Sequence, residues 1–258
     1  MRLIVTDGAD AAGHAAAELL AERITRAPKF RLGVATGSSP ESTYRHLAAL
    51  LPPRPHAIEL FALDEYIGLP RGHAQSYEET LKQGIASLLN LDLGSVHVPD
   101  AWHSDPTAAG LRYDALLANH GGIDLQILGI GANGHIGFNE PFSEFGSRTR
   151  RVALTEETRR ANSRFFATVD QVPTYAMTQG ISNILAASAV LLIATGQHKP
   201  DALVAAIEGP IAWACPASAL QLHRDVTVVC DSAAASSLTQ TIPTPPARRQ
   251  GANNVRLR

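Results

Sequence analysis

The 258-residue sequence contains few cysteines, little net charge and no long hydrophobic run. Its two cysteines, Cys215 and Cys230, are too few for a disulfide framework or a cysteine-based zinc site. A formal net charge of −2 argues against the basic surface typical of nucleic-acid or membrane binding. The longest apolar run, residues 189–194, is far too short to span a bilayer, and no secretory hydrophobic region precedes Asp7. These absences predict a soluble cytoplasmic protein with reduced thiols and with no nucleic-acid or membrane partner.

With 45% hydrophobic and 18% charged residues, the chain is long and apolar enough to form a sizeable core. Short apolar runs alternate with stretches in which apolar residues recur at helical spacing, such as Ala12, Ala16, Leu20 and Ile24. This alternation predicts an α/β fold in which helices cover both faces of a doubly wound, mostly parallel sheet. We expect residues 1–240 to form a single domain. Residues 241–258 lack periodicity, and we expect them to be a disordered tail.

Small and polar residues follow four of the predicted strands, at Thr36, Asp64, Gly129 and Thr195. The carboxyl ends of parallel strands lie at one edge of a sheet, and ligands bind at that edge in open α/β folds. We therefore expect these four segments to share a single site, although they are far apart in the chain.

The most informative of these segments is GIGANGHIGFNEP, residues 129–141. Its glycines allow the backbone to turn sharply and to approach a ligand closely. Three side chains in it, Asn133, His135 and Glu140, can transfer a proton or orient a group that does. An imidazole and a carboxylate in such a loop predict an active site. The alternative is a strand-to-helix turn in which the histidine has only a capping role.

Two adjacent carboxylates, Asp64 and Glu65, end the third predicted strand, next to a turn at residues 68–70. Adjacent side chains face different ways, so these two need not form a catalytic pair. One of them, held on the turn, is a candidate general base. The alternative is an aspartate that caps a helix or braces the loop.

The turn formed by Thr36, Gly37, Ser38 and Ser39 connects a predicted strand to a predicted helix. We expect Ser39 to be the helix N-cap, with Pro40 as the first helical residue. Free backbone N–H groups and the helix dipole make such a turn a site for an anion. It lacks both the P-loop lysine and the GxGxxG spacing, so a nucleotide is not expected. The alternative is a capped helix without a ligand.

Two cations are candidates for completing an anion site. Arg164 lies between a serine and two aromatic residues, where an arginine can be held rigidly for bidentate phosphate binding. Its alternative role is a structural salt bridge. Lys199 lies in the turn after the strand that ends near Thr195. The neighbouring Arg159 and Arg160 are expected to be solvated.

These segments, taken together, resemble the glucosamine-6-phosphate deaminase (isomerising) family. The resemblance covers nearly all of the chain up to Asp231 and is carried, in order, by ATGSSPESTY, LDEYIGLP, HAQSYEETL, GIGANGHIGFNEP, SRTR, ALTEETRRANSRFF, GQHKPDALVAAIEG and LQLHRDVTVVCD. Most of these pieces are weak signals alone, but GHIGFNEP with LDEY and TRRANSRFF is highly specific. The FNEP continuation also distinguishes the chain from the related 6-phosphogluconolactonases.

The resemblance implies a Rossmann-like fold and the conversion of glucosamine 6-phosphate and water to fructose 6-phosphate and ammonia. It implies no metal and no organic cofactor, a small amino-sugar phosphate as the partner, and it allows a homo-oligomer. Asp64 matches the base that moves a proton between C2 and C1 of the substrate. His135 matches the residue that assists ring opening, with Asn133 and Glu140 supporting it. The match also gives a set of phosphate ligands, which are Ser38, Ser39, Arg164 and Lys199, with Thr36 and Gly37 in the same turn.

Some family members have aspartate at the position of Asn133. An asparagine can orient His135 through its amide oxygen but cannot stabilise an imidazolium as a carboxylate would. Glu140 is therefore the expected charged partner of His135.

Three other functions stay open. The chain could be a deaminase for another amino-sugar phosphate, such as galactosamine 6-phosphate, or a lactonase-like hydrolase. It could also be a sugar-phosphate-sensing domain without catalysis. The joint presence of Asp64, His135 and Glu140 favours an enzyme.

Allosteric members of the family bind N-acetylglucosamine 6-phosphate partly through basic residues just after the FNEP motif. Arg150 matches one of them, but Val152 stands where a lysine is expected and Glu144 adds an acidic group nearby. This pattern predicts an enzyme that the compound does not activate.

Overall fold

The computed structural model describes residues 1–52 and 57–239, so the expected tail at 241–258 lies outside the described residues. In chain order the strands are β1 Arg2–Thr6, β2 Lys29–Val34, β3 Ala57–Ala62, β4 Asp64–Ile67, β5 Val96–His97, β6 Leu125–Leu128, β7 Arg150–Ala153, β8 Tyr175–Thr178, β9 Val190–Ala194 and β10 Val226–Asp231. The α-helices are α1 Ala9–Thr25, α2 Ser38–Leu50, α3 Tyr77–Glu79, α4 Pro106–Asn119, α5 Glu156–Asn162, α6 Ile181–Leu185 and α7 Pro200–Ile207.

Seven parallel strands form the main sheet, in the spatial order β1-β10-β9-β6-β2-β3-β5. The predicted α/β class is confirmed. A second, antiparallel sheet of three strands, β4-β8-β7, lies outside that prediction. It begins at Asp64, immediately after β3, and its other two strands come from the long connection between β6 and β9. The second sheet is therefore attached to the carboxyl end of the first.

Helices cover both faces of the main sheet. The predicted apolar stripe of α1 is fully buried, and Leu20 packs in the same core cluster as Leu60 of β3. The next residue of the strand, Phe61, faces the other way and packs against Tyr113 and Leu117 of α4. Since neighbouring residues of a strand point to opposite faces, these two contacts place helices on either side.

The capping-box spacing of Ser76 and Glu79 and the pair Asp105–Pro106 each predict a helix start, and both are confirmed, whereas the start predicted at Ser39 is wrong. Asp105 accepts hydrogen bonds from the first turn of α4, and Ser76 accepts one from the Glu79 N–H. By contrast, Ser39 does not cap α2, which begins at Ser38 with Gly37 as its N-cap. Gly37 has φ of +107°, a conformation that favours glycine, and this lets the chain enter the helix earlier than the sequence predicts.

Three further expectations need correction. Asp64 and Glu65 lie on β4, not on a turn. The spacing of Leu81, Ile85 and Leu88 predicts that they form the buried side of the helix that starts after Ser76. That helix continues as a π-helix, Thr80–Ala86, and Leu88 is 41% exposed because a π turn shifts the helical phase. Arg159 is not simply solvated, since it donates hydrogen bonds to the carbonyl oxygens of Val169 and Val172.

Within the described residues, no helix combines the length and the apolar character needed to cross a membrane. Both cysteines are free thiols and both are buried.

Candidate active site

The candidate site lies where the direction of chain winding reverses. β2 and β6 are neighbours, but the chain passes from β2 to β3 on one side and from β6 to β9 on the other. Ligands of open α/β sheets bind in the crevice outside such a switch point. The Thr36 turn follows β2 and the loop at 129–141 follows β6, so these two predicted segments flank the crevice.

The loop at 129–141 folds back on itself so that His135 packs over Gly131. The Gly131 N–H donates to the His135 carbonyl oxygen at 2.9 Å. A Cβ at position 131 would lie only 2.3 Å from the imidazole, so a residue other than glycine would displace the ring. The glycine is thus required by the close approach of the histidine that the sequence singled out.

Glu140 is the centre of a hydrogen-bond network in this loop. Its Oε2 accepts from Asn133 Nδ2 at 2.8 Å and lies 3.5 Å from His135 Nδ1. Its Oε1 accepts from the hydroxyl groups of Thr158 and Thr155. Burial alone would raise the pKa of Glu140, but interactions with His135, Thr158 and Asn133 lower it to about 2. Glu140 is therefore anionic at neutral pH, and it faces the imidazole.

Asn133 does not orient the His135 ring through its amide oxygen, as the sequence suggested. That oxygen accepts the backbone N–H of His135 at 3.2 Å, while the amide nitrogen donates to Glu140. Asn133 thus fixes the backbone of the histidine and the position of its carboxylate partner.

Asp64 lies across from the same loop, at the start of β4. It is 8% exposed, and its Oδ2 lies against Gly137, where a Cβ would be 3.7 Å away. The connection is made by Thr178, which pairs with Asp64 in the second sheet and accepts the Phe138 N–H with its side chain. Burial, followed by the neighbouring charge of Glu65, raises the pKa of Asp64 to about 8. A carboxyl group of this kind exchanges protons near neutral pH.

Glu65 has a different function from its neighbour. It is fully buried and accepts hydrogen bonds from three backbone N–H groups, those of Tyr66, Tyr77 and Glu78, at 2.7–2.9 Å. Burial raises its pKa to about 7, with these hydrogen bonds acting in the opposite direction. Glu65 ties β4 to the start of α3. The sequence placed it beside Asp64 but did not indicate this clamp.

Three side chains that the sequence analysis did not single out connect the two sides of the site. The Tyr77 hydroxyl donates to the Tyr66 hydroxyl at 3.2 Å, and Asn162 Nδ2 donates to the same Tyr66 oxygen at 3.0 Å. Burial raises the pKa of Tyr77 well above its usual value, while a side-chain hydrogen bond with Thr36 lowers it. Since Thr36 belongs to the predicted anion site, Tyr77 joins that turn to the Asp64 strand. In the sequence, the only sign of Tyr66, Tyr77 and Asn162 is that they lie within the motifs that carry the family resemblance.

The predicted phosphate ligands come together at the other side of the crevice. Ser38 starts α2, a helix whose N-terminus has no side-chain cap. Ser39 Oγ lies 3.3 Å from Thr195 Oγ1, which brings together the turns after β2 and β9. Lys199 Nζ donates to the Ile130 carbonyl oxygen at 2.7 Å and so reaches the loop at 129–141.

Arg164 completes this side of the site. Its guanidinium lies 4.7 Å from the centre of the Phe165 ring, and the residue is exposed. The pKa of Lys199 is lowered first by burial and then by the positive charge of Arg164. Two cations that repel each other beside an uncapped helix N-terminus form a site suited to an anion such as phosphate.

The chain is similar to known proteins over most of its length. Residues 6–229 match the profile of the family described as glucosamine-6-phosphate isomerases/6-phosphogluconolactonase. The chain belongs to this family.

Within the glucosamine-6-phosphate isomerase/6-phosphogluconolactonase family, the chain is 48% identical to a glucosamine-6-phosphate deaminase of Streptomyces coelicolor over 244 residues, covering 92% of this chain and 93% of that protein. It is 46% identical to a glucosamine-6-phosphate deaminase of Shewanella loihica, over 92% of this chain and 89% of the relative. A solved structure of a monomeric glucosamine-6-phosphate deaminase is 39% identical, with a TM-score of 0.88, over 92% of this chain and 100% of that one.

The lactonase branch of the family is more distant. A 6-phosphogluconolactonase from Trypanosoma cruzi has a TM-score of 0.75 but only 20% identity, over 93% of this chain and 97% of that one. At that identity the likeness shows a shared fold alone.

Proposed function

We propose that this protein is a glucosamine-6-phosphate deaminase, which converts glucosamine 6-phosphate and water to fructose 6-phosphate and ammonia. The observation that carries the proposal is the packing of buried Asp64 against Gly137, in the same loop that presents His135 to Glu140. A proton-accepting carboxyl group and a group suited to ring opening thus share one loop. The deaminases at 46–48% identity support the same reaction.

Asp64 is the proposed base. After ring opening it removes the proton from C2, which leaves an enolamine, and returns a proton to C1, which leaves an imine at C2. Water then adds to the imine and releases ammonia and the ketose phosphate. A single carboxylate held on a rigid strand can reach two adjacent carbons, and its raised pKa makes it a stronger base than an ordinary aspartate.

His135 is the proposed ring-opening residue, moving a proton between O5 and O1 of the pyranose. The negative charge that Glu140 carries at neutral pH stabilises the imidazolium that forms when the imidazole of His135 takes up this proton. Asn133 keeps Glu140 and the His135 backbone in place.

The opposite side of the crevice is the proposed binding site of the substrate phosphate. The first turn of α2, with Gly37, Ser38 and Ser39, offers backbone N–H groups, while Arg164 and Lys199 provide positive charge. Thr36, in the same turn, completes the proposed set. Binding energy from a phosphate distant from C1 and C2 can hold these carbons against the base.

No step of this reaction requires a metal or an organic cofactor, and we propose that none takes part. The proposed partner is a small amino-sugar phosphate, and the proposed location is the cytoplasm. The homo-oligomer that the family resemblance allows stays a prediction, which light scattering of the purified protein tests.

The decisive test is ammonia release from glucosamine 6-phosphate by purified protein treated with a chelator. We expect turnover that the chelator does not reduce. Parallel reactions with galactosamine 6-phosphate and 6-phosphogluconolactone test the two enzymatic alternatives. Faster conversion of either compound would replace the proposed substrate, and binding of the sugar phosphates without any turnover would indicate a sensing domain.

A further inference from the structure

A second cluster of ionisable side chains lies on the main sheet, away from the residues assigned above. Glu59 projects from the middle of β3, His97 from the edge strand β5 and His120 from the end of α4. One ligand atom from each of them lies within 4.8 Å of the other two. The two imidazole Nε2 atoms are 4.0 Å and 3.8 Å from Glu59 Oε1. These distances are too long for hydrogen bonds, so the three groups surround a common point without bonding to one another.

In both histidines the Nε2 atom is free of hydrogen bonds within the described residues and can bind an ion. His120 Nδ1 lies 2.8 Å from the Leu116 carbonyl oxygen, so it carries the ring proton and the Nε2 lone pair faces Glu59. Metal-binding histidines have this arrangement, in which the second ring nitrogen donates to a carbonyl or a carboxylate. His97 Nε2 is buried without a hydrogen-bond partner.

The surroundings hold both rings in position and leave a path to solvent. Phe61 stacks on His97 with ring centres 4.7 Å apart and meets the edge of His120 at 5.4 Å. The three candidate side chains are each 18–26% exposed. The remaining oxygen of the carboxylate, Glu59 Oε2, pairs with Lys29 Nζ at 2.9 Å. Lys29 is half exposed, so it can move away when a cation binds to Oε1.

We propose that Glu59, His97 and His120 form a binding site for a divalent transition metal ion of the zinc class. Two imidazoles and one carboxylate are donors that suit Zn²⁺ and Co²⁺, with water in the fourth position. In a tetrahedral zinc site the ligand atoms are about 3.3 Å apart, so each atom here has to move by only about half an ångström. The ion would connect the edge strand β5 and the end of α4 to β3. It has no part in the deamination.

The test is a titration of the chelator-treated full chain with Zn²⁺ by calorimetry and with Co²⁺ by visible absorption. We expect one ion per chain, and an absorption band typical of tetrahedral Co²⁺. At Zn²⁺ a hundredfold above its Kd, the midpoint of thermal unfolding should rise by about 5 °C. The deaminase rate should not change, so failure of this proposal and failure of the proposed reaction are distinguishable.

Two variants and one matched control locate the ion. His120→Ala and Glu59→Gln should each weaken Zn²⁺ binding at least tenfold and abolish the thermal shift. His120 is the safer of the two histidines to replace, because its side chain is less buried than that of His97, which stacks on Phe61. His46→Ala is the control, since His46 also lies beside a carboxylate, 3.0 Å from Asp10, but outside the cluster. Zn²⁺ binding that survives in His120→Ala, or that is lost in His46→Ala, would overturn the proposal.

Discussion

Two carboxylates beside Asp64 and His135, on what we call the proton-transfer side of the site, are Glu65, which is buried, and Glu140, which is half-buried, and both are hydrogen-bonded to the protein. The cations on the phosphate side, Arg164 and Lys199, are by contrast fully or partly exposed. Glu140 accepts hydrogen bonds from Asn133, Thr155 and Thr158, and Glu65 accepts three from the backbone. On the other side, Arg164 lies on the surface over Phe165. The charged neighbours of the proposed base and of the proposed ring-opening histidine are thus held in place before substrate arrives.

The difference has a physical reason. A base and its orienting groups must be positioned to within a fraction of an ångström, because proton transfer falls off steeply with distance. A phosphate dianion brings enough charge to draw flexible cations into place on binding. This comparison predicts that changes on the proton-transfer side lower turnover, while changes on the phosphate side weaken substrate binding.

The largest expected effect is that of Asp64→Asn, which keeps the shape of the side chain and removes its basicity. We expect turnover to fall roughly a hundredfold or more, with the KM little changed. Incorporation of solvent deuterium at C1 of fructose 6-phosphate should fall equally. The control is Asp114→Asn, which alters a buried carboxylate that pairs with Arg148 away from the site. Wild-type exchange in Asp64→Asn would show that another residue is the base.

The phosphate side should show the opposite kinetic pattern. Arg164→Ala and Lys199→Ala should each reduce kcat/KM roughly 10- to 150-fold, mostly through KM, which corresponds to about 1.5–3 kcal/mol for a hydrogen bond to a charged group. Preference for glucosamine 6-phosphate over glucosamine should decrease in both. Arg160→Ala is a matched control, because Arg160 lies near Arg164 but pairs with Glu156. Undiminished preference in either variant would remove that residue from the phosphate site.

A smaller effect is expected from Glu65→Gln. The negative charge of Glu65 raises the pKa of Asp64, and Asp64 must be deprotonated to act as the base. Removing that charge should therefore move the acid limb of the kcat profile to lower pH. The kcat at pH 6 relative to that at pH 8 should increase, even if the loss of one of the hydrogen bonds that Glu65 accepts from the backbone lowers the maximal kcat. An acid limb that stays in place would mean that Glu65 acts only through the backbone.

The smallest effect, none at all, is expected from N-acetylglucosamine 6-phosphate. Arg150, the residue that matches an effector ligand, resembles the fixed groups of the proton-transfer side. It donates to Asn139 Oδ1 at 2.8 Å and to Ser143 Oγ at 3.3 Å. Breaking these bonds would offset much of a typical allosteric coupling energy of about 1–3 kcal/mol. Rates should depend hyperbolically on substrate with or without the compound up to millimolar concentration. Sigmoidal kinetics that the compound makes hyperbolic would contradict this.

Much of the main sheet could be predicted from the sequence, because its elements depend on local patterns. The apolar spacing in α1, the cap of α4 at Asp105 and the runs of β9 and β10 are each encoded within a few residues. The segments at the strand ends could also be placed at one edge, since parallel strands leave no other arrangement.

The second sheet could not be predicted in this way. β4 pairs with β8, more than a hundred residues later, and only this pairing makes Asp64 the first residue of a strand and not part of a turn. The start of α2 at Ser38 depends likewise on the conformation of Gly37. Hydrogen bonds between backbone segments far apart in the chain produce no periodic pattern of apolar residues in the local sequence.

The candidate site, like the fold, has features that the sequence determined and features that only the tertiary structure decided. The sequence by itself determined which residue types are available, because Asp64, His135, Glu140 and Lys199 stand in recognisable segments. The tertiary structure decided what each of them contacts. Burial raises the pKa of Asp64, three neighbouring side chains lower the pKa of Glu140, and Glu59, His97 and His120 meet only because β3, β5 and α4 are adjacent in the fold. Burial and pairing are properties of the packed chain, and they set the pKa of a side chain that its sequence only names.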